Sequence, residues 1–289
     1  MSVLVFGSSG QVAQSLRDTM PSETEVSFID RKVCDLAEPT SVRRLLDLRN
    51  PEVVINAAAY TQVDKAEEET ELANLINHDS VTVMAEYAST VDARLIHIST
   101  DFVFDGTKTE PYLPGDPTGP LGEYGASKLA GENAALQVAP ESTMIIRTAW
   151  VYSEHGANFV KTMLRLMAER DELGVVSDQR GSPTYARSLA EVIWQIVEDD
   201  LFRPGIYHWT DEGDITWHDF ALGIQQEGVE AGLLKRRIPI HPIDTVDYPT
   251  PADRPAYSVL NTDKLATLSG LQPQPWQSNL KSALSRFAK

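Results

Sequence analysis

The chain has 289 residues, 42% of them hydrophobic, which is enough for one large domain or two small ones with a true core. Its net charge of −17 argues against nucleic acid and against an anionic membrane surface as partners. A single cysteine, Cys34, rules out an internal disulfide and a cysteine-based metal cluster, and is read as a reduced cytoplasmic thiol. No apolar run approaches the roughly 18–20 residues of a membrane span. Met1–Phe6 reads as a strand and not as a signal peptide.

Val3-Leu-Val-Phe6 is a β-rich run that meets Gly7-Ser-Ser-Gly10-Gln-Val-Ala13. Beyond it, Val12, Leu16 and Met20 have helical spacing, and Pro21 closes the segment. Gly7 and Gly10 therefore fall where a strand turns into a helix. Glycine there lets the backbone approach a pyrophosphate, and the helix N-terminus offers free N–H groups. Glu25–Asp30 is a second strand ending in an acid, near the spacing of about 20 residues at which a carboxylate meets the adenosine ribose. Arg31 and Lys32 follow as candidates for a 2′-phosphate, which leaves NADPH and NADH both open. Asp35-Leu36 is a candidate to flank the adenine.

Val53–Ala59 is a third strand running into small residues, against which a cofactor can lie; Tyr60 and Thr61 follow. A helical region is predicted from Asp64 to about Ser89. Within it Glu67, Glu68 and Glu69 read as a solvated face, and Asn77, among apolar neighbours, needs partners. Arg94–Thr100 is the fourth strand. It ends in Ser99-Thr100-Asp101, at the edge where an open parallel sheet binds ligands. His97 reads as a packed residue. From 102 to 123 four prolines and four glycines predict a long loop.

The loop delivers Tyr124-Gly-Ala-Ser-Lys128, followed by Leu129-Ala-Gly-Glu132. On a helix Tyr124 and Lys128 share one face, one turn apart. A phenol holds its proton to a pKa of about 10. A nearby ammonium favours the phenolate, so spacing predicts a proton donor tuned toward neutral pH, suited to reducing a ketone. Thr100 is placed to hydrogen-bond the same carbonyl oxygen.

Ser142–Arg147 is a further strand, followed by Thr148-Ala-Trp150-Val-Tyr152. The alternation to this point predicts an α/β fold with a doubly wound (Rossmann) parallel sheet over residues 1–150. Residues 151–289 read as mainly a smaller C-terminal substrate-binding domain, with some segments returning to the sheet. Helices are predicted over 158–170, 188–198, 216–227, 262–267 and 276–287, with strands near 174 and over 205–209. The proline-rich stretch 238–255 reads as irregular. Arg254 and Lys161 are candidates for a substrate diphosphate.

Read together, GxxGxxA, the acid after strand two, NAAA, STD, YxxxK and RTAWVY resemble the extended short-chain dehydrogenases/reductases. The finer resemblance is to the dTDP-4-dehydrorhamnose reductase family. It rests on Asn56-Ala-Ala-Ala-Tyr-Thr61, Val63-Asp-Lys-Ala-Glu67, Ser99–Phe104, Tyr124–Glu132, Arg147–Tyr152, Asn158-Phe159, Asp178–Thr184 and Arg254-Pro255, and spans nearly the whole chain. It implies that Tyr124 protonates the C4 oxygen of a dTDP-sugar, that Lys128 holds the nicotinamide ribose, and that Thr100 orients the carbonyl. Val63, Thr100, Asp101, Trp150, Asn158 and Arg254 are then substrate contacts. Gly7, Gly10, Gln11, Val12, Asp30, Arg31, Asp35, Leu36, Ala59, Tyr60 and Thr61 line the NADPH or NADH. The product implied is dTDP-L-rhamnose. Alternatives are a 6-deoxytalose-forming reductase, an epimerase, or a non-catalytic homologue like the regulatory subunit of methionine adenosyltransferase. Members often have Tyr where Phe102 stands. Some dimerise through a metal held by glutamates; the matching positions are Ser15 and Arg187, so no metal is expected, and the chain is a monomer or homodimer.

Overall fold

The computed structural model describes residues 1–287. Its frame is a six-stranded, wholly parallel sheet. β1 (Ser2–Phe6) is followed by α1 (Gln11–Asp18), β2 (Glu25–Ile29), α2 (Pro39–Arg49) and β3 (Val53–Asn56). Then come α3 (Val63–Ala66), α4 (Thr70–Asn74), a π-helical turn (Leu75–Asp79), α5 (Ser80–Val91), β4 (Arg94–Thr100), α6 (Glu123–Val138) and β5 (Thr143–Thr148). The second half contributes β6 (Val151–Tyr152), α7 (Phe159–Glu169), β7 (Leu173–Val176), β8 (Arg180–Gly181), β9 (Thr184–Tyr185), α8 (Ala186–Glu198) and β10 (Gly205–His208). β11 (Ile215–Thr216), α9 (Trp217–Glu230), β12 (Ile240–Ile243), α10 (Asp263–Ser269) and α11 (Trp276–Phe287) complete it.

The sheet order is β10-β5-β4-β3-β1-β2. The chain winds outward from β1 to β2, then returns across β1 to lay down β3 on its other side. That reversal leaves a crevice at the carboxyl ends of β1 and β3, the place where doubly wound sheets bind ligands. Buried strands in such sheets are continuously apolar because helices cover both faces. Val3, Leu4, Val5 and Phe6 are accordingly all buried, as are Met144, Ile145 and Ile146 of β5. One face of the sheet packs with α8 and Leu265 and Ala266 of α10. The other packs with residues of α2 and α5.

α2 has no counterpart among the predicted elements. Only Val42, Leu45 and Leu46 are buried in it, amid charged residues. Pro39 opens the helix, and Asn50 closes it in the left-handed region at φ 44°. The long helical region predicted from Asp64 is broken into α3, α4, the π turn and α5. The stretch 238–255, read as irregular, contains β12, which pairs in parallel with β7. Pro242 is tolerated because this is a two-stranded edge pairing in which the missing N–H is not required.

A second apolar cluster, distinct from the sheet's, is built from α7, α9, α11, β7 and β9, with Phe220, Ile224 and Leu280 fully buried. The site lies between this cluster and the carboxyl edge of the sheet.

Candidate active site

Gly7 sits at φ +99°, a conformation that favours glycine, and a Cβ there would press on Ala57 O of the neighbouring strand at 3.3 Å. The turn therefore runs tight against the end of β3. Gly10 caps α1 without any side-chain hydrogen bond, so the N–H groups of the first turn stay available. A glycine turn with an uncapped helix end at the switch point is a cradle that fits a pyrophosphate. Gln11, in that turn, is committed to a brace: its Oε1 accepts from Asn158 Nδ2 at 2.9 Å and Ser153 Oγ at 3.1 Å. Val12 packs against the sheet core.

Asp30 follows β2, and its Oδ1 accepts from the backbone N–H of Lys32 and Val33 at 2.8 and 2.9 Å. Arg31 is exposed and pairs with Asp35 at 3.0 Å. The Ala37 N–H and then Arg31 hold the Asp35 carboxyl below its ordinary range. Leu36 is buried in the core beneath. Ala59 lies half-buried after β3, and Thr61 is exposed. Tyr60 is buried, with its hydroxyl donating to Glu69 at 2.7 Å. Burial first, and then Glu69, push that phenol up to about 12. Glu67, Glu68 and Glu69 are exposed, as read from the sequence, and two of them also hold neighbours: Glu69 the Tyr60 hydroxyl, and Glu67 Oε1 the Glu123 N–H at the start of α6, at 2.9 Å.

α6 carries Tyr124 and Lys128, and two glycines let it descend close to its neighbours. A Cβ on Gly125 would stand 2.2 Å from Phe102 O, and one on Gly131 would stand 2.0 Å from Asn77 O. Asn77 finds the partners a buried carboxamide needs. It accepts from Tyr60 N at 2.9 Å and donates to Tyr60 O and Ser127 Oγ at 3.1 and 3.0 Å. Glu132 fastens the helix to β5 through a buried ion pair with Arg147 at 2.6 Å.

The expected effect of Lys128 on Tyr124 is overturned. Burial pushes the Tyr124 phenol up to about 12; a hydrogen bond with Thr100 opposes this and Asp101 adds to it. The Lys128 ammonium turns instead toward β4, donating to Ile98 O at 2.7 Å and lying 3.2 Å from His97 Nε2. Its own pKa falls to about 8 through burial, against the pull of Glu132. Spacing on a helix sets which face a side chain leaves from, whereas the depth of the pocket sets its electrostatics.

Thr100 donates to Asp101 Oδ1 at 3.0 Å and accepts from the Phe102 N–H. Asp101 is 2% exposed, and its Oδ2 has no hydrogen-bond partner among the described residues. Burial raises its pKa to about 6, with Ser258 and Thr100 opposing. It lines a cleft of about 560 Å³ together with Phe102, Trp150, Trp217, Gln179 and Arg254. Phe102 meets Tyr124 edge-on, with ring centroids 5.6 Å apart. Trp150 and Trp217 stack at 3.5 Å. Trp150 has φ +47°, a strained backbone for a bulky residue. A Cβ on Gly181 would run into its ring at 2.7 Å. Arg254 pairs with Asp64 at 3.0 Å on the cleft wall.

Other candidates sit elsewhere. Asn158 caps α7 by accepting from Lys161 N at 3.0 Å. Lys161 donates to Glu154 O at 2.6 Å. Val63, half-buried, opens α3 beside the cleft residue Asp64. Ser15 is buried, and Arg187 pairs with Glu191 at 3.1 Å. Residue-level reading of the sequence missed Phe159, Trp217, Tyr248, Thr250 and Ser258 of the cleft. Their one shared signal is an aromatic or hydroxyl side chain in a stretch without a glycine fingerprint.

Sheet order, the glycine turn at the switch point and the Tyr–Lys helix after β4 are those of the extended short-chain dehydrogenases/reductases. Within that class, the family model described as the RmlD substrate binding domain matches residues 1–289, and the chain belongs to that family. It is 42% identical over 286 residues to a dTDP-4-dehydrorhamnose reductase of Aggregatibacter actinomycetemcomitans, covering 97% of each chain. It is similar to the crystal structure of a dTDP-4-dehydrorhamnose reductase from Clostridium acetobutylicum, with TM-score 0.92 and 35% identity over all of both chains. A Bacillus anthracis dTDP-4-dehydrorhamnose reductase solved in complex with NADP superposes with TM-score 0.90 at 34% identity, over 99% of each chain.

Proposed function

We propose that the protein reduces the C4 ketone of dTDP-4-dehydro-6-deoxy-L-mannose to dTDP-L-rhamnose, using NADPH or NADH. The observation that carries this reading is the Tyr124–Thr100–Asp101 group at the sheet edge beside the cleft, in a chain alike over its full length to reductases of that name. A bound nicotinamide supplies the hydride. The chain's own residues do the rest. Tyr124, held protonated by burial, gives its proton to the C4 oxygen as negative charge develops there. Lys128, with one ammonium hydrogen not taken by Ile98 O or His97, holds the nicotinamide ribose, and Thr100 orients the carbonyl by turning its hydroxyl from Asp101. Asp101 Oδ2, buried without a partner, is available to a sugar hydroxyl. Arg254 faces the diphosphate, and the Trp150–Trp217 stack offers an apolar wall to the rest of the nucleotide.

Gly7, Gly10, Gln11, Val12, Ala59, Tyr60 and Thr61 border the cofactor crevice, with Asp30, Arg31, Asp35 and Leu36 at its adenosine end. A cytoplasmic location fits a chain whose one cysteine is a buried free thiol. Among the described residues no helix is long and apolar enough to cross a membrane. The assembly is taken as monomer or homodimer, to be read by sedimentation.

The test is loss of NADPH absorbance with the keto-sugar nucleotide, and identification of the product by NMR. Tyr124→Phe is expected to lower kcat by about 10³-fold while NADPH still binds. Undiminished turnover by that variant would remove Tyr124 from the mechanism.

A further inference from the structure

Lys128 Nζ carries three hydrogens. One goes to Ile98 O at 2.7 Å, and a second is directed at His97 Nε2, 3.2 Å away. An ammonium is tetrahedral, so two occupied directions leave a single direction for the third hydrogen. The ring that sets the second direction is itself fixed. His97 and Asn56 stand opposite each other in the parallel register of β4 and β3, with Asn56 Nδ2 placed 3.1 Å from His97 Nδ1. Both side chains are fully buried. Burial, and then the Lys128 charge, hold the imidazole neutral by driving its pKa well below the ordinary value. A neutral imidazole has one acceptor nitrogen. Facing an ammonium, Nε2 is that acceptor. Nδ1 then carries the hydrogen and meets the Asn56 carboxamide through its oxygen once the amide is turned over, which gives up the 3.2 Å bond that Oδ1 accepts from the Ala58 N–H.

We propose that His97 is a positioning residue of the reaction: braced by Asn56 from β3, it takes one hydrogen of the Lys128 ammonium and so fixes where the remaining one points. The buried imidazole has two side-chain hydrogen-bond partners among the described residues, Asn56 and Lys128. The other titratable groups facing the pair are Tyr124, one turn back on α6, and Glu132, one turn on, which is neutralised by Arg147 of β5. The claim rests on the reductase reading above, since only there does the direction of that hydrogen matter.

His97→Phe keeps a ring and loses the acceptor; His97→Gln keeps an acceptor oxygen. Both are compared with the unmodified chain by NMR titration of the Lys128 ε-carbon and by the pH profile of kcat/KM. In His97→Phe the Lys128 midpoint is expected to fall by about one pH unit, because a hydrogen bond favouring the ammonium is gone. The alkaline limb of kcat/KM should move down with it. Loss of aim should lower kcat about 10- to 100-fold, with KM for the keto-sugar changed less than about three-fold. His97→Gln should restore each quantity to within about three-fold of the unmodified chain. A role in packing alone would lower Tm and leave the titration where it was. Coincident Lys128 midpoints and pH limbs in His97→Phe and the unmodified chain overturn the proposal, as does a Gln variant no better than Phe. Should His97→Phe not fold, His97→Met makes the same comparison. If the unmodified chain does not turn over the keto-sugar, the reductase reading fails, while the Lys128 titration still decides whether His97 holds the ammonium.

Discussion

The two walls of the site are built by opposite means. The wall bearing Tyr124 is one 16-residue helix, α6, lowered onto its neighbours by glycines and bolted to β5 by Glu132. Its side chains are placed by contiguous sequence, and its tolerance is a matter of backbone clearance. The facing wall gathers Trp150, Phe159, Trp217 and Arg254 from far apart in the chain and closes with an ion pair to Asp64. On the proposed function, chemistry falls to the wall with the least freedom and substrate binding to the wall assembled from distant segments. That division fits catalysis, where small displacements of reacting groups are costly and binding contacts vary more gently.

The comparison breaks most severely at Gly131. A valine there puts a Cβ 2.0 Å from Asn77 O, a backbone carbonyl that no rotamer change can move aside. Gly131→Val is expected to cost about 3 kcal/mol or more, measured by urea denaturation, with activity lost in parallel. Gly115→Ala, with nothing within 4 Å, is the control and should change stability by less than about 1 kcal/mol. Similar losses in both would mean that α6 is not held by close approach.

Next in size is the facing wall. Arg254→Met should raise KM for the sugar nucleotide about 10- to 50-fold with little change in kcat, as expected for lost charge-assisted bonds to a diphosphate. A fall in kcat at constant KM would move Arg254 from binding into the chemistry.

The smallest effect sharpens the electrostatics of the first wall. The Lys128 pKa is depressed from 10.5 to about 8 by burial. Between those values the unfolded chain binds a proton that the folded chain does not, so stability rises with pH there and the gain is lost as pH falls through about 8. Compared with Lys128→Met, which has no such proton, the unmodified chain should gain about 1–2 °C in Tm between about pH 8 and pH 9. Parallel Tm curves would show that burial does not depress the Lys128 pKa.

Much of the parallel sheet was legible because each strand is a short apolar run ending at a turn signal, and such runs depend only on neighbours in sequence. α2 was not, since Val42, Leu45 and Leu46 are too few to mark a period by themselves. β12 was not, because proline in a strand reads as a break until the pairing shows that its N–H has no partner to miss. Thr100 and Asp101 were named as candidates from their types at the end of β4, and Tyr124 and Lys128 from their spacing on one helix, α6.

Residue order alone determined which side chains leave α6 on one face and which glycines meet the switch point, because helix period and strand alternation are local geometry. Tertiary structure decided the rest. It raised the Tyr124 pKa where spacing predicted a fall, turned Lys128 toward His97, bent Trp150 to φ +47° and joined Arg254 to Asp64. Those outcomes depend on solvent exclusion and on partners distant in the chain, and neither is a property of any local stretch.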